Sequence, residues 1–183
     1  MNGNNGARTL FLIGARGCGK TSVARELARL LSRPWLDLDL FISERQQRSI
    51  AEIVRLSGWE AFRKIESACL KEAAQELGEN GILATGGGAP LANENRLFMR
   101  DCGHVVWLKA PAETLARRLL ADPLAEQRPS LTCLAPVEEI EKVLREREAI
   151  YRECAHSIVD GGAELAGLCR EIIKLEAFDV NKA

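Results

Sequence analysis

A chain of 183 residues with 46% hydrophobic residues, 28% charged residues and a net charge of −1 suits one ordinary globular domain, long enough to bury roughly 70% of its unfolded surface. That balance excludes the basic excess of a nucleic-acid binder, and no run approaches the roughly 18 apolar residues of a membrane span. The six cysteines, at 18, 69, 102, 133, 154 and 169, form no C-x-x-C pair and no Cys/His cluster, so neither a disulfide framework nor a zinc site is indicated and a reducing cytoplasm fits.

Residues 1–8 are polar, lack the apolar stretch of an export signal and read as a short tail. Thr9 to Ile13 is a short apolar run that predicts a buried strand. Gly14-Ala15-Arg16-Gly17-Cys18-Gly19-Lys20-Thr21 follows it and fits G-x-x-x-x-G-K-[ST] without a mismatch. Val23, Leu27, Leu30 and Leu31 come next at helical spacing, so the motif stands between strand and helix, the context that a phosphate-binding loop requires. The glycines let backbone N–H groups turn inward on phosphate oxygens, and the helix presents its positive end to the same anion. In such a loop Lys20 reaches the β- and γ-phosphates and Thr21 sets its hydroxyl on Mg²⁺. Cys18, at a helix start, stands where thiols turn reactive, yet it reads more simply as a small loop residue and receives no role of its own.

After the break at Ser32-Arg33-Pro34, Trp35 to Asp39 predicts a second strand ending in two carboxylates. Helices are predicted at about 40–47, 50–57 and 60–77, punctuated near Ser49 and Gly58, and this insertion is where a small acceptor would sit. Residues 81–88 predict a third strand running into Gly86-Gly87-Gly88, Pro90 a helix start, 104–108 a fourth strand, and Pro111 the start of a helix with Leu115, Leu119 and Leu120 on one face. The stretch from Asp122 to Pro136 has three prolines and no periodicity, which in a phosphotransferase suggests a lid. A long helix at 137–154, a strand at 156–159 and a terminal amphipathic helix from Ala163 complete the chain. Strands alternating with helices imply a parallel sheet covered by helices on both faces.

The metal of a phosphate loop needs a carboxylate at the end of a neighbouring strand. The third strand ends in Thr85 and glycines and the fourth in Lys109, which leaves Asp37 and Asp39. At a spacing of two along an extended chain they point to the same side. One can then serve the magnesium while the other meets an acceptor hydroxyl. The triglycine lies at the same sheet edge, where missing side chains let a small polar ligand lie against backbone N–H groups.

The loop GARGCGKT, the Asp37-Leu38-Asp39 pair, Phe62-Arg63 with Glu66, the triglycine, Arg128-Pro129, and Arg147 ahead of Tyr151-Arg152-Glu153 resemble shikimate kinase in order and spacing, from about Thr9 to Ile173. Arg-Gly-Cys-Gly-Lys and Arg-Pro-Ser-Leu-Thr look most like its second enterobacterial type. The resemblance implies an α/β P-loop NTPase fold of the nucleoside monophosphate kinase type. It makes residues 1–183 a single domain, with a substrate-binding helical insertion at about 40–79 and a lid at about 122–136.

The same resemblance implies that ATP phosphorylates the 3-hydroxyl of shikimate. Lys20 and the amides from Gly17 through Cys18, Gly19 and Thr21 to Ser22 would hold ATP, with Thr21 and Asp37 around Mg²⁺. Asp39 would meet the 3-hydroxyl, Arg63 and Arg147 would clamp the carboxylate, and Gly86, Gly87 and Gly88 would line the pocket. Planar guanidinium forks suit that task because they pair with a carboxylate through two bonds. Arg128 would swing in with the lid as a catalytic cation, and Arg118 would lie along the adenine. Leu38 and Cys133 depart from the family pattern, where a small polar residue and a glycine are usual; the first should point away harmlessly and the second could stiffen the lid. The expected protein is a cytoplasmic monomer that binds neither nucleic acid nor membrane. The competing readings are another small-acceptor kinase of this architecture, against which Arg63, Arg147 and Asp39 argue, and a nucleotide-binding module without turnover, against which Lys20, Thr21, Asp37, Asp39 and Arg128 argue together.

Overall fold

The computed structural model of the chain describes residues 8–121 and 136–180. The first apolar run forms β1 (Thr9–Ile13), and all of its residues are buried. Its side chains alternate between the two faces of the sheet, as a period of two requires. Phe11 and Ile13 enter a core on one side, Leu10 and Leu12 a core on the other. A strand apolar on both faces belongs inside a parallel sheet. Accordingly β1 is flanked by β3 (Ile82–Ala84) and β4 (Gly103–Lys109), while β2 (Trp35–Asp37) and β5 (Ser157–Asp160) take the edges in the order β2-β3-β1-β4-β5, with every pairing parallel.

Helices cover both faces, as the alternation implies. On the Leu10/Leu12 side, α1 (Lys20–Leu31), α5 (Ala112–Leu120) and α7 (Leu165–Val180) contribute Val23, Leu27, Leu115, Leu168 and Ile172. On the Phe11/Ile13 side, α2 (Leu38–Gln46), α3 (Ile50–Leu77), α4 (Asn93–Cys102) and α6 (Pro136–Cys154) contribute Phe41, Ile42, Leu70, Met99 and Tyr151. The chain leaves β1 toward one half of the sheet and leaves β3 toward the other. The crevice outside the carboxyl end of β1 is therefore the topological switch point, where open parallel sheets bind ligands.

The second strand is shorter than its sequence suggests. It stops at Asp37, whose carboxylate accepts from the backbone N–H groups of Asp39 (2.9 Å) and Leu40 (3.3 Å) and so caps α2. A capping Asp satisfies amides that a helix start leaves orphaned, and the chain turns helical at once. Asp37 and Asp39 are thus a cap and a first-turn residue, and not two same-side residues of one strand. Leu38 between them does point away, into the core, fully buried.

The helices predicted at 50–57 and 60–77 form one run, α3, bent at Gly58, whose φ of 79° and ψ of 170° are not helical. Its start is a capping box in which Ser49 and Glu52 satisfy each other's backbone N–H groups. Pro90 lies in a short 3₁₀ turn, Ala89–Leu91, ahead of α4 rather than at its start. The proline-punctuated stretch, with Arg128 and Cys133, lies outside the described residues. Among the described residues no helix is long and apolar enough to cross a membrane, and Cys18, Cys69, Cys102, Cys154 and Cys169 are free thiols.

Leu70 is fully buried where α3 meets the sheet, whereas Leu56, earlier on the same helix, is 55% exposed. Removing a packed side chain costs its transfer energy plus that of the cavity left behind. Leu70→Ala should therefore cost about 3 kcal/mol of unfolding free energy, and Leu56→Ala less than about 0.5 kcal/mol. Urea denaturation of both variants checks this, and equal losses would contradict the packing described.

Candidate active site

The loop between β1 and α1 is shaped by its glycines. Gly14, Gly17 and Gly19 have φ values of 139°, 82° and 97°, where residues with a Cβ are strained. A Cβ on Gly14 would lie 2.7 Å from the Leu108 carbonyl oxygen and 2.9 Å from Cys18 Sγ. Gly19 caps α1 without a side chain, so no side chain takes the first-turn amides that can hold an anion. Lys20 folds across the loop, and its Nζ donates to the carbonyls of Gly14 (2.9 Å) and Ala15 (3.0 Å). Thr21 Oγ1 donates to Asp37 Oδ2 at 2.6 Å. Cys18 is buried against the second core, and its Sγ accepts from Lys20 Nζ at 3.6 Å.

The loop opens into a cleft of about 860 Å³ lined also by Asp37, Asp39, Arg63, Gly86, Gly87, Gly88, Arg118 and Arg147. Gly17, Cys18, Gly19, Lys20, Thr21 and Ser22 line the same cleft. Arg118 bridges the loop to the turn after β5, its Nη1 donating to the carbonyls of Gly161 (2.8 Å), Gly17 (3.4 Å) and Cys18 (3.4 Å). Of the residues singled out in the sequence, Arg128 and Cys133 lie outside the described residues.

The far end of the cleft is built on the turn after β3. Thr85 fixes its start, donating twice to the Leu12 carbonyl through N–H (3.1 Å) and Oγ1 (3.0 Å). The side chains missing from the triglycine are replaced by groups from elsewhere. A Cβ on Gly86 would stand 2.8 Å from both Asp39 Oδ1 and Glu66 Oε1, and one on Gly88 would overlap the Arg63 guanidinium. Arg63 pairs with Glu66 one helical turn away through Nη1 and Oε2, and it lies within 5.2 Å of the Trp59 ring centroid. Arg147 Nη1 donates to the Gly87 carbonyl at 3.0 Å, and Tyr151 Oη donates to the same oxygen at 2.7 Å.

Glu66 received no role from the sequence, yet it is central to this end of the cleft. It is 1% exposed, and its Oε1 has no hydrogen-bond partner. Burial pushes its carboxyl above the ordinary value of 4.5, the Arg63 ion pair works in the opposite direction, and the nearby charge of Asp39 adds to the rise. The signal available in sequence was the i, i+3 spacing of Arg63 and Glu66; the burial was not visible there. Tyr151, whose phenol is pushed up to about 12 by burial, was likewise read only as part of a motif.

A glycine loop holding a lysine, a hydroxyl paired with a carboxylate, and a pocket with guanidinium groups at a parallel-sheet switch point define a P-loop phosphotransferase of the nucleoside monophosphate kinase type. A family model described as "Shikimate kinase" matches residues 16–176. "Shikimate kinase 2" of Dickeya chrysanthemi is 47% identical over 165 residues, which are 90% of this chain and 94% of that protein. The protein of the same description from Yersinia pestis (strain Pestoides F) is 44% identical over 168 residues, 92% of this chain and 95% of that one. The solved structure of shikimate kinase from Acinetobacter baumannii in complex with shikimate matches with a TM-score of 0.86 at 33% identity, covering 94% of each chain. The chain belongs to the shikimate kinase family.

The elevated carboxyl of Glu66 makes stability depend on pH. The folded chain binds that proton more tightly than the unfolded chain, so the contribution is fully present below the unfolded value of 4.5 and is lost as pH rises through the folded value. Glu66→Gln keeps the shape without the proton equilibrium. Its stability relative to the parent should therefore improve as pH is raised from about 4 to about 8, measured by urea denaturation at successive pH values. Parallel curves for parent and variant would contradict the burial argument.

Proposed function

We propose that this cleft holds ATP at the glycine loop and shikimate at the triglycine turn, so that the γ-phosphoryl passes to the 3-hydroxyl and gives shikimate 3-phosphate and ADP. One observation carries the reading. Two guanidinium groups, from α3 and α6, stand over a side-chain-free turn beside Asp39, in the same cleft as the phosphate loop. A planar carboxylate is what two such forks recognise, and a hydroxyl on the same ring then faces Asp39.

Phosphoryl transfer asks little covalent chemistry of the protein, so catalysis is positioning plus charge neutralisation. Lys20 and the amides from Gly17 to Ser22 bind the phosphates. Asp39 orients the 3-hydroxyl and takes its proton. Arg63 and Arg147 pair with the ring carboxylate, and Arg118 lies along the adenine. Residues 40–79 act as the acceptor-binding insertion of a single domain, and 122–136 as its lid, from which Arg128 reaches the transferring phosphoryl. Closure would exclude water that otherwise hydrolyses ATP.

Thr21 Oγ1 and Asp37 Oδ2, both hard oxygen donors at one end of the loop, suit Mg²⁺. Among the described residues no group of three or more His, Cys, Asp or Glu could hold a metal ion. When bound, the ion neutralises charge on the β- and γ-phosphate oxygens. The protein is a cytoplasmic monomer without nucleic-acid or membrane partners.

Coupled ADP release on addition of shikimate tests the activity. Lys20→Met should keep the fold and remove most of that release, because the side chain belongs to the loop's mouth and not to either core. Turnover near the parent rate would reject the phosphate-loop assignment.

The two carboxylates divide the work, one placed at the Thr21 hydroxyl and the other at Gly86. Asp37→Asn should raise the Mg²⁺ concentration needed for half-maximal rate, whereas Asp39→Asn should leave nucleotide binding nearly intact and cripple transfer. Mg²⁺ titrations of both variants decide it, and identical metal profiles would rule the division out.

A further inference from the structure

The triglycine turn has no side chains of its own and is anchored through its carbonyls. Gly87 O is the acceptor on which two side chains of α6, one helical turn apart, meet. Arg147 Nη1 reaches it at 3.0 Å and Tyr151 Oη at 2.7 Å. The two donors differ in their freedom. Tyr151 is fully buried, its ring packed against Trp107 with centroids 5.7 Å apart, and its phenol stays protonated because burial pushes it up to about 12. Arg147 lines the cleft and is half-buried. Tyr151 is enclosed on every side, whereas Arg147 has one side open to the cleft and its charge acts on the phenol beside it.

We propose that Tyr151 is a positioning residue that lets Arg147 turn from the Gly87 carbonyl to the carboxylate of the acceptor. This rests on the reading of Arg147 as a carboxylate clamp. A carbonyl oxygen has two lone pairs and here serves two donors. When the guanidinium leaves, the partly buried oxygen keeps the phenol, so no acceptor is orphaned and the turn keeps its place. Without the phenol, the bond from Arg147 becomes the carbonyl's only side-chain bond, and releasing it carries the desolvation penalty of an unsatisfied group. Acceptor binding then competes with an internal bond that the native protein can give up freely.

Tyr151→Phe removes the hydroxyl and keeps the ring. It should raise the KM for shikimate roughly five- to twentyfold, the scale of one orphaned hydrogen-bonding group, and leave kcat and the KM for ATP within about twofold. A loss of packing alone would lower the active fraction and kcat with KM unchanged, and would overturn the inference. The decisive measurement is the double variant, since residues acting through one another are non-additive. In an Arg147→Ala background there is no clamp to release, so adding Tyr151→Phe should change the shikimate KM by less than about twofold. If the full effect persists there, Tyr151 acts on the turn and not through Arg147, and the inference fails while the clamp stands. If Arg147→Ala alone leaves the shikimate KM unaltered, the clamp reading fails and takes the inference with it.

Discussion

Asp37 holds three elements of this protein to one another. Its Oδ2 accepts from Thr21 at the start of α1, and its Oδ1 accepts from the amides that open α2, while its own backbone ends β2. A carboxylate shared in this way sets the distance between the nucleotide end of the cleft and the segment carrying Asp39. It also explains why the edge strand β2 can be only three residues long. The strand ends by handing its carboxylate to a helix, and the helix dipole favours a negative charge at that place. Any metal bound at the Thr21 hydroxyl would meet the other oxygen of the same carboxylate that caps α2 and positions Asp39, so the glycine loop and the segment carrying Asp39 are tied by one side chain.

The triglycine end of the cleft follows a different rule. There the backbone provides the surface and long side chains from distant helices fill the space that Gly86 and Gly88 leave vacant. Arg63 comes from α3 and Arg147 from α6, and neither reaches the turn through a neighbour in sequence. The buried carboxylate of Glu66 balances part of this positive charge from within the core, at the cost of an oxygen without a partner. A buried charge without a partner is strongly destabilising, and a buried pair is often close to neutral. Here the Arg63 pair offsets part of the cost of burial and keeps a guanidinium over the turn.

Much of the fold was legible because its signals are local. The run from Thr9 to Ile13, the glycine spacing after it and the period of α1 each name an element without help from the rest of the chain. The end of β2 was not legible, since an Asp two residues before another Asp reads equally as strand or cap, and only the amides of Asp39 and Leu40 decide between them. The division at Gly58 was visible, though its outcome, a bend within one helix, depended on packing on both sides. In the cleft, the glycine loop, Asp37, Asp39, Arg63, the triglycine, Arg118 and Arg147, each named in the sequence from a motif or a resemblance, line one cavity. Those whose importance lies in burial and partner choice, Glu66 and Tyr151, were given no role, because a single sequence does not record which side chains are dry.

Arg118 is already ordered by three backbone carbonyls, two from the glycine loop and one from the turn after β5. An arginine free in solvent carries about 2 kcal/mol of rotamer entropy, which a ligand must overcome if it is to be met by a guanidinium in one pose. In this protein folding has settled that ordering in advance. A nucleobase laid along the guanidinium, as proposed, would find a flat, stationary surface, and the strength of stacking would depend on how firmly the chain holds Gly161. Motion in the β5 turn would thus be felt as a change in nucleotide affinity with no change in any residue that touches phosphate.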